Sequence, residues 1–204
     1  MVHPVPVGRM TVEEYFDFEE QQTSAKHEYV DGEVFAMAGP TRRHNTIAGN
    51  IYMRLRTAAR GGPCRVHIAE VKLRADPVIY YPDVMVACGA APEDERIEDA
   101  PCLVVEVLSP STQATDRREK LLVYKRMPSI RGYYIVDQMQ RRVDAHVRRA
   151  DGTWAHQAVV EQGSLPVPCT PLDVMLTLDE IYEDVTLPTP EERLRLREEE
   201  AAYL

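Results

Sequence analysis

The sequence predicts one α/β domain, and three observations support this fold class. The chain has 204 residues, 44% apolar and 28% charged, which is enough for one substantial hydrophobic core. Segments with helical spacing of apolar residues alternate with short strand-like segments. The core segments follow the order helix, strand, strand, strand, helix, strand. We expect a single domain over residues 1–188 and a charged helix or tail over residues 189–204.

Two short elements are predicted before this core. Thr11 and Glu14 have the spacing of a capping box, which indicates a helix starting at Thr11. The segment KHEYVDGEVFAMAG then contains Asp31-Gly32, a pair that tolerates positive φ in a tight turn between two strands. The N-terminal extension is therefore predicted to end in a β-hairpin.

The core begins with a long helix and a pair of strands. TRRHNTIAGNIYMRLRTAAR, residues 41–60, predicts the helix, and its apolar stripe consists of Ile47, Ile51 and Leu55. CRVHIAEVKLRADPVIYYPDVMVAC is predicted to form two strands on either side of Asp76-Pro77. An acidic loop then leads to the third strand.

The third strand contains a carboxylate in an apolar setting. LVVEVL, residues 103–108, is typical of a strand buried on both faces, and Glu106 is its one charged residue. Burying an isolated carboxylate costs several kcal/mol unless its charge is compensated. We therefore expect Glu106 to have either a structural partner or a ligand.

A helix, a strand and a hairpin follow. QATDRREKLLVYKRM is helical in composition and is expected to end near Pro128, and GYYIVD predicts the next strand. A hairpin is expected to turn at Asp151-Gly152. Thr177 and Glu180 form a second capping box, which indicates a short helix.

Pairing the first two core strands about Asp76-Pro77 would bring titratable residues together. Residues whose numbers sum to about 153 would then lie opposite each other, so that Glu70 faces Asp83 and Lys72 faces Tyr81. Glu106 on the neighbouring strand would add a third acid. Packed carboxylates disfavour joint ionisation, and Mg²⁺ or Mn²⁺ would relieve that cost.

Residues from three other predicted elements could contribute to such a site. Asp116, Lys120 and Tyr124 follow one another at four-residue steps on one face of the later helix, so Lys120 could reach back to the acids. His44, at the start of the long helix, could contact phosphate or could be a capping or packing histidine. Glu28 in the first hairpin could approach as an additional acid.

Several segments resemble the Uma family of endonucleases, a branch of the PD-(D/E)xK nuclease superfamily. They include YPDVMVAC, PCLVVEVLSPST and TDRREKLLVYKRMPSIRGYYIVD, with EYVDGEVFAMAG, RHNTIAGNI and LDEIYEDV on either side. The resemblance covers almost the whole chain. It implies a restriction-endonuclease-like core with a mixed sheet and a metal site built from Asp83 and Glu106. It also implies DNA as the substrate and pairing of two chains in a homodimer.

The sequence departs from the superfamily pattern two residues after Glu106. The pattern has a lysine there, whereas this chain has Leu108. Lys72 and Lys120 are the two lysines that could take the place of this catalytic lysine. Lys72 is favoured, because the strand pairing places it on the same sheet face as Asp83.

These observations predict a Mg²⁺- or Mn²⁺-dependent endodeoxyribonuclease that hydrolyses DNA phosphodiester bonds. Asp83 and Glu106 would hold the metal, Glu70 would assist as a third acid, and Lys72 or Lys120 would support the reacting phosphate. The alternative is a nuclease-fold module without activity that binds nucleic acid or protein, which Leu108 and the net charge of -9 both favour. An enzyme acting on another phosphoester is a third alternative.

Composition adds expectations about location and cysteine chemistry. The chain has no run of eighteen apolar residues and its N-terminus lacks an apolar stretch of signal-peptide length, so we expect no membrane association and a cytoplasmic protein. The four cysteines lie far apart without a CxxC pair, which argues against a zinc clip and a disulfide framework. We expect buried thiols.

Overall fold

The computed structural model describes residue 5 and residues 7–37, 39–109 and 116–201. The helices are α1 (Val12–Glu20), α2 (Arg42–Ala58), α3 (Leu121–Arg126, directly preceded by a π-helical turn at Asp116–Lys120), α4 (Leu178–Ile181) and α5 (Pro190–Ala201). The strands are β1 (His27–Val30), β2 (Glu33–Ala36), β3 (Cys64–Ile68), β4 (Lys72–Ala75), β5 (Val78–Tyr80), β6 (Val84–Cys88), β7 (Ile97–Glu98), β8 (Pro101–Leu108), β9 (Gly132–Asp137), β10 (Arg142–Arg148), β11 (Trp154–Val160), β12 (Ser164–Pro166) and β13 (Met175–Thr177). Within these ranges, every helix is too short or too polar to cross a bilayer.

The strands form two mixed sheets and one isolated pair. The larger sheet has the order β11-β10-β9-β8-β6-β3, with β8 and β9 parallel and its other described pairs antiparallel. The smaller sheet has the order β2-β1-β5-β4-β7, with β4 and β7 parallel. Strands β12 and β13 pair with each other. The α/β class with a mixed sheet is confirmed.

Strand β8 is buried on both faces, as its apolar sequence predicts. One face packs against α2, whose Ile47, Ile51 and Leu55 lie in one apolar cluster with Val105 and Val107 of β8. The opposite face packs against α3 and the smaller sheet, in a second cluster. That cluster includes Leu73, Met85, Val104, Leu108 and Tyr124. By strand alternation, Glu106 points to this second face.

The local signals for turns and helix ends are confirmed. Thr11 and Glu14 form the capping box of α1, and Thr177 forms another with Glu180 at the start of α4. Asp31 has φ of 48° and Gly32 has φ of 96° in the turn between β1 and β2. These signals involve residues within four positions of each other, so the chain specifies them without tertiary contacts.

The prediction of two strands between residues 64 and 88 is wrong, because the structure has four. β3 pairs with β6 in the larger sheet, with Ile68 opposite Val84, whereas β4 pairs with β5 in the smaller sheet. Ala69 causes the separation: its φ of 56° breaks the extended chain directly after β3. The predicted register about Asp76-Pro77 holds only for the short β4–β5 pair.

The cysteine prediction is also wrong. Cys64 is bonded to Cys88 with an S–S distance of 2.07 Å, and Cys102 is bonded to Cys169 at 2.01 Å. The partners are 24 and 67 residues apart in the chain. The sheet register and the loop before β13 bring them together, and neither is visible in the spacing of the cysteines.

Candidate active site

Asp83 lies directly before β6 and is fixed to the neighbouring strand. Its Oδ2 accepts a hydrogen bond of 2.7 Å from the backbone N–H of Val107, the residue after Glu106. His44 in the first turn of α2 places Nε2 3.2 Å from the same oxygen. The Asp83 side chain is 16% exposed, so it can meet a ligand from solvent. The carboxylate of Asp83 is therefore anchored beside Glu106.

Glu106 has the partners that its buried position requires. Its side chain is 4% exposed, and Oε1 accepts hydrogen bonds from the Lys120 ammonium at 3.1 Å and from the Tyr124 hydroxyl at 3.0 Å. Burial, and secondly the negative charge of Glu106, raise the pKa of Tyr124 well above its usual value. Tyr124 therefore stays protonated and donates to Glu106 throughout the working pH range.

Lys120 is the last residue of the π-helical turn that precedes α3. Its ammonium also donates to Glu28 Oε1 at 2.9 Å and lies 5.0 Å from the centre of the Tyr80 ring. The side chain is 4% exposed. Single π-helical turns are rare and occur frequently at functional sites. This one is followed by an α-helix whose Tyr124 reaches the same Glu106 oxygen as Lys120.

The structure does not bring Glu70 or Lys72 to these acids. Glu70 forms an ion pair of 2.5 Å with Lys26 at the surface. The Lys72 ammonium lies 5.2 Å from the centre of the Tyr81 ring. Lys72 therefore lies beside Tyr81, as the predicted pairing has it, but among the described residues it forms no ion pair with Asp83 or Glu106; the chain turns at Ala69 and Lys72 belongs to the smaller sheet.

Leu108 stands where the superfamily pattern has its lysine, and it has a structural role here. Its side chain is buried in the cluster beneath α3, and its carbonyl accepts a 2.6 Å hydrogen bond from Gln138 Nε2. The Thr41 hydroxyl donates to Gln138 Oε1 at 2.6 Å, and Thr41 Oγ1 accepts from the His44 N–H at 3.1 Å. This chain of hydrogen bonds connects the end of β8 to the helix turn that holds His44.

Two residues of this group have closer contacts than the sequence predicts. Glu28, predicted only as an additional acid, contacts Lys120, and His44, which the sequence leaves between several roles, contacts Asp83. Thr41 at the N-cap of α2 was the available signal for His44, because it fixes where that helix begins. No local signal could have placed Glu28. The side chain of Asp116, the first position of the predicted helix face, lies outside the described residues.

The donor set suits a hard divalent cation. Asp83 accepts from the backbone N–H next to Glu106 in the chain, so the two carboxylates come from adjacent strands, and the Lys120 ammonium contacts both Glu106 and Glu28. Mg²⁺ keeps several waters and is commonly held by one or two carboxylates together with substrate phosphate. Two carboxylates without a closed protein cage are therefore sufficient.

Relatives of the chain were found among curated proteins and solved structures. It is 35% identical over 154 residues to the uncharacterized protein slr1290 of Synechocystis, covering 73% of this chain and 80% of that protein. It is 29% identical over 150 residues to the uncharacterized protein sll1609 of the same organism, covering 71% and 84%.

A solved structure shares the fold. The crystal structure of a "putative nuclease belonging to DUF820" from Anabaena variabilis superposes with a TM-score of 0.72. The match covers 87% of this chain and 99% of that one, at 17% sequence identity. The restriction-endonuclease-like fold is thereby confirmed.

The family itself is shown by a sequence model that matches most of the chain. The Uma2 model, whose description is "Putative restriction endonuclease", matches residues 12–179. This range contains both carboxylates of the candidate site and the helix that holds Lys120. The chain belongs to the Uma2 family.

Proposed function

We propose that the chain is a metal-dependent nuclease that hydrolyses phosphodiester bonds in DNA. The observation that carries the proposal is the contact of Lys120 with Glu106, beside the anchored carboxylate of Asp83. The superfamily pattern requires two acids and a lysine, and this chain lacks the lysine at position 108. Lys120 supplies an ammonium group to the same carboxylate from the neighbouring helix.

Asp83 and Glu106 are the residues that would hold Mg²⁺ or Mn²⁺. A bound divalent ion of this kind lowers the pKa of a water molecule and neutralises charge on a phosphate oxygen. Tyr124 and the Val107 N–H hold the two carboxylates in place through hydrogen bonds of 3.0 Å and 2.7 Å. Because these donors are buried or part of the backbone, the ligand oxygens are oriented before any substrate binds.

Lys120 would act on the substrate through its charge. Its ammonium lies in a buried setting, where its interaction with negative charge developing on a phosphate is stronger than in water. A phosphate group that enters the site would compete with Glu28 for this ammonium. His44 would act as a positioning residue, because its ring contacts Asp83 Oδ2.

The test is a cleavage assay with supercoiled, linear and single-stranded DNA in the presence of Mg²⁺ or Mn²⁺. Wild-type protein should cleave at least one substrate, and chelation of the metal should abolish cleavage. Asp83→Ala and Glu106→Ala should both be inactive. Glu70→Ala is the matched control, since its carboxylate pairs with Lys26 at the surface, and it should retain activity. Unchanged cleavage in Asp83→Ala and Glu106→Ala would refute the assignment.

A second candidate function is binding of nucleic acid or protein without cleavage. The observation that favours it is the enclosure of Lys120, whose ammonium already contacts two carboxylates. In that case the ion pairs would be structural, as many buried pairs are. Fluorescence anisotropy with labelled DNA would then show binding, and the cleavage assay would show no product with Mg²⁺ or Mn²⁺.

The assembly and the cellular location are also part of the proposal. Two chains would act together as a homodimer, so that each chain cuts one strand of a duplex. Sedimentation equilibrium would show a mass of twice 23.2 kDa. A cytoplasmic location is proposed from the sequence, and fractionation of cells that produce the tagged chain would test it.

A further inference from the structure

All four cysteines converge at one place in the fold. Cys64 and Cys88 are opposite each other on β3 and β6, and Cys102 at the start of β8 is bonded to Cys169. The two disulfides touch, because Cys88 Sγ lies 3.8 Å from Cys102 Sγ.

A β-bulge aims Cys102 into this group. Val86 pairs with Leu103, whereas Ala87 pairs with Pro101, so Cys102 is the additional residue on β8. In a regular strand, alternation would turn Cys102 to the same face as Val104 and Glu106. It packs instead against the apolar cluster on the α2 face, which contains Cys64 and Cys169 and against which Cys88 also packs. Bulges commonly re-aim a side chain in this way.

The sulfur atoms lie close enough together to share one metal ion once reduction separates the two bonded pairs. The Sγ atoms of Cys88, Cys102 and Cys169 all lie within 4.8 Å of one another. Tetrahedral zinc with Zn–S bonds of about 2.3 Å places its sulfur ligands about 3.8 Å apart. The distance between Cys88 and Cys102 has this value. Cys64, bonded to Cys88, is the fourth sulfur of the group.

We propose that the reduced protein binds Zn²⁺ through these four cysteines, at a site separate from the candidate nuclease centre. Each disulfide would take up two electrons and two protons from a dithiol reductant, which is itself oxidised to a disulfide. Zinc then binds the four sulfurs as thiolates and the thiol protons pass to solvent. In the disulfide form the thiolates are absent, so the same residues cannot hold the metal.

The position of the cysteines explains how the metal would enter and what it would do. Cys88 and Cys102 are partly exposed, whereas Cys64 and Cys169 are buried. Cys88 lies five residues along the chain from Asp83, roughly 17 Å in an extended strand. Zinc would therefore cross-link β3, β6 and β8 to the loop before β13, without contacting Asp83 or Glu106.

Cobalt titration of the full-length chain tests the proposal. Protein reduced with a dithiol and kept free of oxygen should bind one thiolate-coordinated Co²⁺ per chain, apart from any Co²⁺ at the carboxylates of Asp83 and Glu106. Thiolate-to-cobalt charge-transfer absorption in the near ultraviolet should appear, and Zn²⁺ should abolish it. Oxidised protein should not show it. Asp83→Ala is the matched control and should give the same spectrum, because oxygen ligands do not produce this absorption.

Variants of the cluster locate the site. Cys102→Ser and Cys169→Ser should bind Co²⁺ at least ten times more weakly, with circular dichroism used to establish that they are folded. The wild-type measurement remains decisive if a variant does not fold. Reduced, folded wild-type protein that gives no charge-transfer absorption would overturn the proposal. That outcome would leave the nuclease proposal untouched, since DNA cleavage is measured separately.

Discussion

Two lysines of this chain lie near acids and tyrosines, yet their surroundings differ. The Lys120 ammonium contacts the carboxylates of Glu28 and Glu106 and is almost fully enclosed. Lys72 lies over the Tyr81 ring and forms no ion pair among the described residues. The comparison shows that the residue types around a lysine do not define a site. What distinguishes Lys120 is direct contact with the acid that lies beside the anchored Asp83.

The largest expected effect is on cleavage by the Lys120→Met variant. Loss of the ammonium removes stabilisation of charge on the phosphate, which is worth on the order of 10²–10³-fold in rate. Lys72→Met should cleave at the wild-type rate and is the matched control. Initial rates on the preferred DNA substrate with Mg²⁺ decide this. Equal losses in the two variants would remove the distinction between the lysines.

The same pair of variants should also differ in stability. Lys120→Met leaves the carboxylates of Glu28 and Glu106 without this partner, so the free energy of unfolding should fall by about 3–5 kcal/mol. Adding Glu28→Gln to this variant should recover part of the loss, because one buried charge is then removed. Urea denaturation measures both changes. A Lys120→Met variant as stable as wild type would show that the ion pairs contribute little.

Two tyrosines extend the comparison to smaller effects. Tyr124 donates to Glu106 at 3.0 Å and Tyr81 donates to Glu19 at 2.9 Å. Each phenylalanine substitution removes a hydrogen bond to a carboxylate and should cost about 1.5–3 kcal/mol of stability. Only Tyr124→Phe should also weaken Mg²⁺ binding, measured by calorimetry. A matching loss of Mg²⁺ affinity in Tyr81→Phe would contradict the proposed site.

The smallest effect is a pH dependence at Lys72. Burial lowers the pKa of Lys72 below its usual value of 10.5. As pH falls below 10.5, Lys72 is protonated in the unfolded chain before it is protonated in the folded one. Lys72 therefore lowers the free energy of unfolding below that pH, and the loss is complete at neutral pH. Lys72→Met should therefore gain stability relative to wild type at pH 7, within about 0.5 kcal/mol. The gain should shrink as pH approaches 10.5, and thermal unfolding at several pH values measures it. A Lys72→Met variant that is less stable than wild type at pH 7 would contradict the prediction.

The limits of prediction are visible in the segment between Cys64 and Cys88. The turn at Asp76-Pro77 and the register of Leu73 with Tyr80 follow from local sequence. The break at Ala69 does not, because alanine has no preference for a positive φ and adopts it here only where two sheets meet. The chain leaves the larger sheet at that residue, and Lys72 after it pairs with Ile97 in the smaller sheet.

The cysteines show a second limit of the same kind. Their spacing in the chain predicts neither the bulge at Cys102 nor the contact between Cys88 and Cys102. Both depend on how β6 and β8 pair, and that pairing is set by burial of both sheet faces. Strand register over long sequence separations has no local signature.

The sequence by itself determined the helix caps, the tight hairpin turns, the buried strand around Glu106 and the need of this glutamate for a partner. These features depend on residues a few positions apart, or on the cost of burying a charge, and both can be assessed from the chain alone. Only the tertiary structure decided that the partners are Lys120 and Tyr124. The reason is physical: a side chain on α3 meets β8 only after the helix packs on the sheet, and that packing depends on the whole core.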